Sequence, residues 1–99
     1  MSIVTDRKDL DTTLLPNGQQ VTYLALSEEE RAKGFIRPIR ASYIHEKCGT
    51  STKMAQALAE TYARKPGFYS GTFCAACQAH FPVGVDGEFV WEDGTKVGS

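Results

Sequence analysis

Two short turns, far apart in the chain, constrain this sequence more than any other feature. The first reads His45-Glu46-Lys47-Cys48-Gly49 and the second Cys74-Ala75-Ala76-Cys77. Each sets two metal-binding side chains three positions apart. Together they offer four ligands, the number that a closed tetrahedral zinc site needs. All three cysteines and both histidines of the protein lie within residues 43–82. Gly49 suits the exit of such a turn, because glycine adopts positive φ without steric cost. Cys77 is followed by Gln78, which departs from that pattern. The expectation is one structural zinc ion held by His45, Cys48, Cys74 and Cys77. His80, three residues beyond Cys77, is the alternative fourth ligand. His45 is preferred over it because each turn then contributes two ligands.

The rest of the composition agrees with a small metal-organised domain. A chain of 99 residues makes one domain and buries only a modest core, so a metal staple would add what the core lacks. Three cysteines is an odd number, which fits a metal site better than a disulfide framework. The opening residues show no apolar signal-peptide stretch, and no apolar run approaches membrane-spanning length. The expected setting is therefore the cytoplasm, with no membrane partner.

The net charge of −1 conceals a dipolar distribution. Residues 31–65 hold eight bases against two acids, a net of +6, and the remainder carries −7. The basic stretch is either a solvated surface neutralised by the acidic ends or a face for phosphates. In the second case Arg37, Arg40, Lys47 and Lys53 would make the phosphate contacts, with Phe35, Tyr43 and Tyr69 free to stack on bases.

Taken in order, residues 1–9 are polar and aperiodic and read as a flexible terminus, with a single domain over 10–99. Residues 10–15 and 19–26 flank Pro16-Asn17-Gly18 and read as an N-terminal hairpin. Ser27-Glu28-Glu29-Glu30 is a capping-box pattern for a short helix that Gly34 ends. Residues 41–44 read as a strand leading into the first ligand turn. The main helix is expected over residues 50–65, capped by Thr50-Ser51-Thr52 and ended by Pro66-Gly67. Met54, Leu58, Thr61 and Tyr62 share one of its faces, and Glu60 precedes Arg64 by four positions on the outer face. Beyond Cys77, the turn signals Asp86-Gly87 and Asp93-Gly94 divide a three-stranded antiparallel meander. Eight of the ten aromatic residues lie from Tyr43 onward, which places the main core there.

Two enzyme readings fit poorly. Zinc nucleobase deaminases pair H-x-E with a later P-C-x-x-C. His45 does precede Cys74 in that order, but Lys47 occupies the glutamate position, Phe73 the proline position, and Cys48 is a surplus ligand. A redox C-x-x-C depends on a helix N-terminus to depress its first thiol. Gln78-Ala79-His80-Phe81-Pro82 leaves little room for one.

The stretches Cys48-Gly49-Thr50, Ala59-Glu60-Thr61-Tyr62-Ala63-Arg64, Phe73-Cys74-Ala75-Ala76-Cys77 and Glu88-Phe89-Val90-Trp91 resemble small zinc-ribbon-like proteins encoded by bacteriophages and mobile elements. The resemblance spans roughly residues 35–98. It implies an α+β, zinc-ribbon-like antiparallel sheet with one main helix inserted between the two ligand turns. It implies no catalytic activity. The expected function is a non-catalytic, zinc-stabilised protein-interaction module, a phage-type regulator or inhibitor that docks on a host protein or complex, with no small-molecule substrate. The alternative is a nucleic-acid-binding zinc ribbon that uses residues 31–65.

Overall fold

The computed structural model describes residues 2–99. Its elements, in order, are β1 (Ser2–Val4), a 3-10 turn (Arg7–Asp9), β2 (Thr22–Leu24), α1 (Glu28–Arg31), β3 (Ser42–His45), β4 (Ser51–Lys53), α2 (Gln56–Arg64), β5 (Gly71–Cys74), β6 (Ala79–Pro82) and β7 (Phe89–Trp91). The class is α+β. The strands fall into a parallel pair β1–β2, an antiparallel sheet of order β4-β3-β7, and an antiparallel pair β5–β6. No described helix is long and apolar enough to cross a membrane.

Side chains alternate across a strand, so one face of the β4-β3-β7 sheet can be wholly apolar. Tyr43 and His45 on β3 and Phe89 and Trp91 on β7 are all buried, and Tyr43 lies opposite Trp91 in register. This face meets Tyr62 of α2, Cys74 and Val97 to form the core, with Met54, Tyr69, Phe81 and Val83 packed around it. The rings meet edge to face: Tyr43 and Phe89 at 5.2 Å and 87°, Tyr62 and Trp91 at 5.5 Å and 86°. That geometry brings ring edges onto ring faces and adds to what area burial alone supplies.

The main helix is shorter than expected and begins six residues later. Residues 51–53 instead form β4, where Ser51 and Thr52 pair with Ile44 and Tyr43. Two forces favour this outcome: β-branched Thr52 suits a strand, and β3 offers a ladder of backbone partners. The expected Thr50-Ser51-Thr52 cap is therefore absent, and α2 starts after Ala55 with no side-chain cap. Met54 lies ahead of the helix yet still packs on the core. Thr61 and Tyr62 are buried as the helical period predicts. Glu60 pairs with Arg31 of α1 at 2.6 Å rather than with Arg64, because the two helices lie side by side. Ser27 caps α1 as expected, accepting from the Glu30 amide at 3.2 Å, but the helix is only four residues long.

Two further expectations are corrected. Residues 2–4, taken as part of a flexible terminus, form β1 and run parallel to β2 with Ile3 opposite Tyr23. Their short apolar pair carries no periodic signal, and only the nearby edge of β2 gives it a place. The C-terminal meander does not form either. β6 pairs with β5 and β7 with β3, so the two strands lie in different sheets. The Asp93-Gly94 hairpin is present as a short return, with Val90 bridged to Lys96 and the Trp91 amide bonded to Thr95.

The N-terminal hairpin closes at the expected turn: Leu14 bridges Gln20, and the Gly18 amide donates to the Leu15 carbonyl at 2.9 Å. Gly18 has φ of +88°, and a Cβ there would lie 1.9 Å from the Gln78 carbonyl oxygen. The hairpin tip therefore rests against the backbone of the second ligand turn. Gly18→Ala is expected to destabilise the protein by about 1–3 kcal/mol, through overlap and left-handed strain together. A urea titration of both proteins checks this, and an unchanged midpoint would refute the docking.

Candidate metal centre

Each ligand pair sits on a hairpin turn whose two strands fix its geometry. β3 and β4 flank the first turn, and β5 and β6 flank the second. The backbone hydrogen bonds are equivalent. The His45 carbonyl accepts from the Gly49 amide at 2.7 Å, and the Cys74 carbonyl accepts from the Gln78 amide at 2.8 Å. Both turns exit through the left-handed region, Gly49 at φ +75° and Gln78 at φ +53°. Gln78 therefore does what the glycine does at the first turn, at some steric cost. The two turns are the same structural device, although their sequences differ at that position.

The four side chains converge. His45, Cys48, Cys74 and Cys77 form one cluster whose donor atoms all lie within 4.8 Å of one another. His45 Nδ1 is 3.3 Å from Cys48 Sγ and 3.6 Å from Cys77 Sγ, and Cys48 Sγ is 3.5 Å from Cys74 Sγ. With zinc–sulfur bonds of about 2.3 Å and zinc–nitrogen bonds of about 2.0 Å, tetrahedral edges come to about 3.5–3.8 Å. The observed separations are close to those edges, so the donor set fits one tetrahedral ion. Three sulfurs and one imidazole are soft and borderline donors, which suits zinc better than an oxygen-seeking cation.

Electrostatics favour a bound cation. Cys48 is drawn down to about 6, first by the hydrogen bond from the Thr50 backbone amide and then by the Thr50 hydroxyl, His45 and Cys74. Cys77 is pushed up to about 11, first by desolvation and then by the neighbouring Cys74 and Cys48 sulfurs. Like charges this close disfavour joint ionisation, and a divalent ion in their midst removes the conflict.

His45 is held by two aromatic neighbours and at both ring nitrogens. It is 2% exposed and its ring stacks on Phe81 at 4.5 Å and 22°, with Phe89 at 4.8 Å on the same ring. Nδ1 faces the sulfurs while Nε2 lies 2.9 Å from Glu88 Oε1. An Nε2–H donated to Glu88 leaves Nδ1 with its lone pair toward the cysteine sulfurs, as a metal ligand there would need. Burial pulls the His45 pKa down, but the bonds to Glu88 and Cys48 outweigh it and the net shift is upward. The Glu88 carboxyl is held below its ordinary value, first by that histidine bond. In the sequence Glu88 figures only within the stretch Glu88-Phe89-Val90-Trp91, with no role at the site expected of it, since it stands 43 positions from His45. Its only signal is its place next to the aromatic strand that pairs with β3. Glu88→Ala is expected to weaken binding of a metal ion at this centre about 10- to 100-fold, since such carboxylates orient a ligating imidazole. Competition against a chromophoric chelator measures this, and unchanged affinity would show that Glu88 does not act through His45.

The structure places His80 elsewhere. Its Nε2 lies 2.8 Å from the Tyr23 hydroxyl, outside the four-donor cluster. His80 ties β2 to β6, and burial lowers its pKa. The C-x-x-C is followed by strand β6, so no helix N-terminus stands behind Cys74.

The basic residues are less concentrated than their sequence positions imply. Arg40 pairs with Asp93 at 2.7 Å and stacks over Trp91 at 5.2 Å. Lys47 lies 3.5 Å from Glu88. Arg37 and Lys53 are exposed and have no ion-pair partner among the described residues. Of the three aromatics expected to be free for stacking, Tyr43 is in the core and the Tyr69 hydroxyl bonds the Leu24 carbonyl at 2.6 Å. Only Phe35 is exposed. Burial raises Tyr43 to about 12, as befits an inward-facing phenol.

These features define the class: a small α+β protein whose two ligand hairpins gather one histidine and three cysteines into a centre able to hold one metal ion. No protein-family model, curated protein or solved structure matches this chain.

Proposed function

We propose that this chain is a non-catalytic protein-interaction module whose fold is held by one structural zinc ion at His45, Cys48, Cys74 and Cys77. The observation that carries the reading is the convergence of four donors from two equivalent hairpins. Four protein ligands fill a tetrahedral shell and leave no open position for an activated water, as a catalytic zinc requires. The resemblance to zinc-ribbon-like proteins of bacteriophages and mobile elements supports a regulator or inhibitor that docks on a host protein in the cytoplasm. A nucleic-acid role for the basic segment has less support, since Arg40 and Lys47 face carboxylates and two of its three aromatics are turned inward.

Native mass spectrometry of the purified protein tests the reading. One zinc per chain is expected in the wild type and in His80→Ala, and none in His45→Ala. Zinc lost with His80→Ala but kept in His45→Ala would reverse the ligand assignment. No zinc in any of the three, under reducing conditions, would remove the basis of the reading.

A further inference from the structure

We propose that Cys48 and Cys74 form a reversible modification site, at which hydrogen peroxide makes a disulfide that ties the two ligand turns together as the metal leaves. This rests on the zinc reading above and adds a second, covalent state of the same centre.

The two cysteines differ in access and meet in position. Cys48 is exposed, whereas Cys74 is wholly buried. An oxidant arriving from solvent therefore reaches Cys48 first, and Cys74 stands behind it with the two sulfurs 3.5 Å apart. An accessible sulfur with a second thiol beside it is the arrangement in which oxidation stops at a disulfide. Cys77 is exposed as well, so access alone does not choose the pair. Backbone geometry does. Cys74 and Cys77 share one tight turn, closed by the bond from the Gln78 amide to the Cys74 carbonyl at 2.8 Å and left through Gln78 at φ +53°. A disulfide between them would have to reshape that turn. Cys48 and Cys74 sit on different hairpins, and their sulfurs need to approach by only about 1.5 Å to reach bonding distance.

The chemistry balances with hydrogen peroxide as the oxidant. The Cys48 thiolate attacks one peroxide oxygen, the O–O bond breaks and hydroxide leaves, which gives the sulfenic acid. The Cys74 thiolate then attacks the Cys48 sulfur, the S–O bond breaks, and a second hydroxide leaves as the S–S bond forms. The two sulfurs lose two electrons, the peroxide gains them, and two solvent protons turn the hydroxides into water. Only His45 and Cys77 remain as donors, too few for a tetrahedral shell, so the ion is released. The new bond spans 26 positions and joins the β3–β4 hairpin to the β5–β6 hairpin, as the ion would. A cross-link of that span restricts the unfolded chain and so favours the folded one. His45 keeps its Glu88 bond and its stack on Phe81 without any metal contact, which holds the first turn in shape. Chelation and oxidation therefore empty the same centre and leave different proteins.

The test treats the zinc-loaded wild-type protein with a small excess of hydrogen peroxide, alkylates the remaining thiols and maps the peptides by mass spectrometry. A chromophoric zinc indicator follows release in the same sample. The expected product is a Cys48–Cys74 disulfide with Cys77 alkylated and one zinc released for each disulfide formed. Dithiothreitol with added zinc should restore the starting protein. Trp91 is 4% exposed, and its emission should stay that of a buried indole in the oxidised, zinc-free form. A dominant Cys74–Cys77 or Cys48–Cys77 disulfide would overturn the proposal. So would zinc release without a disulfide, or zinc retained under peroxide that fully oxidises a free thiol in the same tube. Trp91 emission of an exposed indole in the disulfide form would show that the bond does not replace the ion as a tie. A protein without zinc before peroxide is added would count against the zinc reading, whereas the peptide map would still decide the pairing. A zinc-loaded protein that forms another disulfide would overturn this proposal alone.

Discussion

Stripping the metal should unfold the protein, not merely empty a site. Structural zinc contributes folding free energy on the order of 10 kcal/mol, as large as the whole stability of a typical domain. Here the ion would join two hairpins that belong to separate sheets, so its loss leaves them tied only by the shared core and by hydrogen bonds such as Tyr43 to Phe73 and Ala75 to Thr52. Without it, three sulfurs and an imidazole would remain crowded at 3.3–3.6 Å with no cation between them. Addition of excess chelator at neutral pH is expected to shift Trp91 emission toward that of exposed indole, since the ring is now 4% exposed. Amide exchange in β3 and β5 should accelerate in parallel. Unchanged emission in a sample shown to be zinc-free would mean that the core holds without the ion. Acid should act in the same direction. Protons compete with zinc for His45 and the sulfurs, so affinity rises with pH. His45 has a raised pKa in the metal-free fold, so its proton begins to compete at a higher pH than on a free imidazole. Cys48, drawn down first by the hydrogen bond from the Thr50 amide, works in the opposite sense and lets its proton leave more readily.

Phe89→Ala should be the most damaging single core substitution that leaves every metal ligand in place. Phe89 is wholly buried and its ring touches Tyr43, His45 and Phe81. Truncation of a buried phenylalanine costs about 3–5 kcal/mol through lost transfer energy and the cavity left behind. Here the cavity opens beside His45, so the imidazole loses one of its two aromatic neighbours. Thermal melts of the zinc-loaded protein should show a large drop, and zinc affinity should fall with it. A destabilisation under about 1 kcal/mol would show that Phe89 is not the keystone its burial implies. Phe89→Leu fills more of the space and should cost visibly less.

Several features were legible in the sequence for simple reasons. The ligand spacing is local chemistry, and His45, Cys48, Cys74 and Cys77 do come together. Ser27 caps its helix because a serine hydroxyl three residues before a free amide is well placed to accept from it. Gly18 and Gly49 turn the chain with positive φ, as their places in the turns require. The buried pair Phe89 and Trp91 follows from alternation on one strand.

What went unread depends on partners far along the chain. Residues 51–53 have a helix-start composition, and only the ladder offered by β3 turns them into a strand. β6 and β7 look like neighbours in one meander, but each finds a better edge elsewhere, on β5 and on β3. Gln78 gives no glycine signal for the second turn, because the closure of its hairpin imposes the left-handed conformation.

By itself, then, the sequence determined which atoms can bind a metal, where the chain turns, and which side chains are apolar enough to be buried. These depend on residue type and short-range spacing. Tertiary structure alone decided that His45 rather than His80 enters the cluster, since His80 is turned toward Tyr23. It alone placed Glu88 behind His45, and it alone spread the basic segment among carboxylates while leaving Phe35 and Ile36 uncovered. The physical reason is the same in each case. Which of several competent donors, edges or charges finds a partner depends on distances that are set only once the sheets have packed.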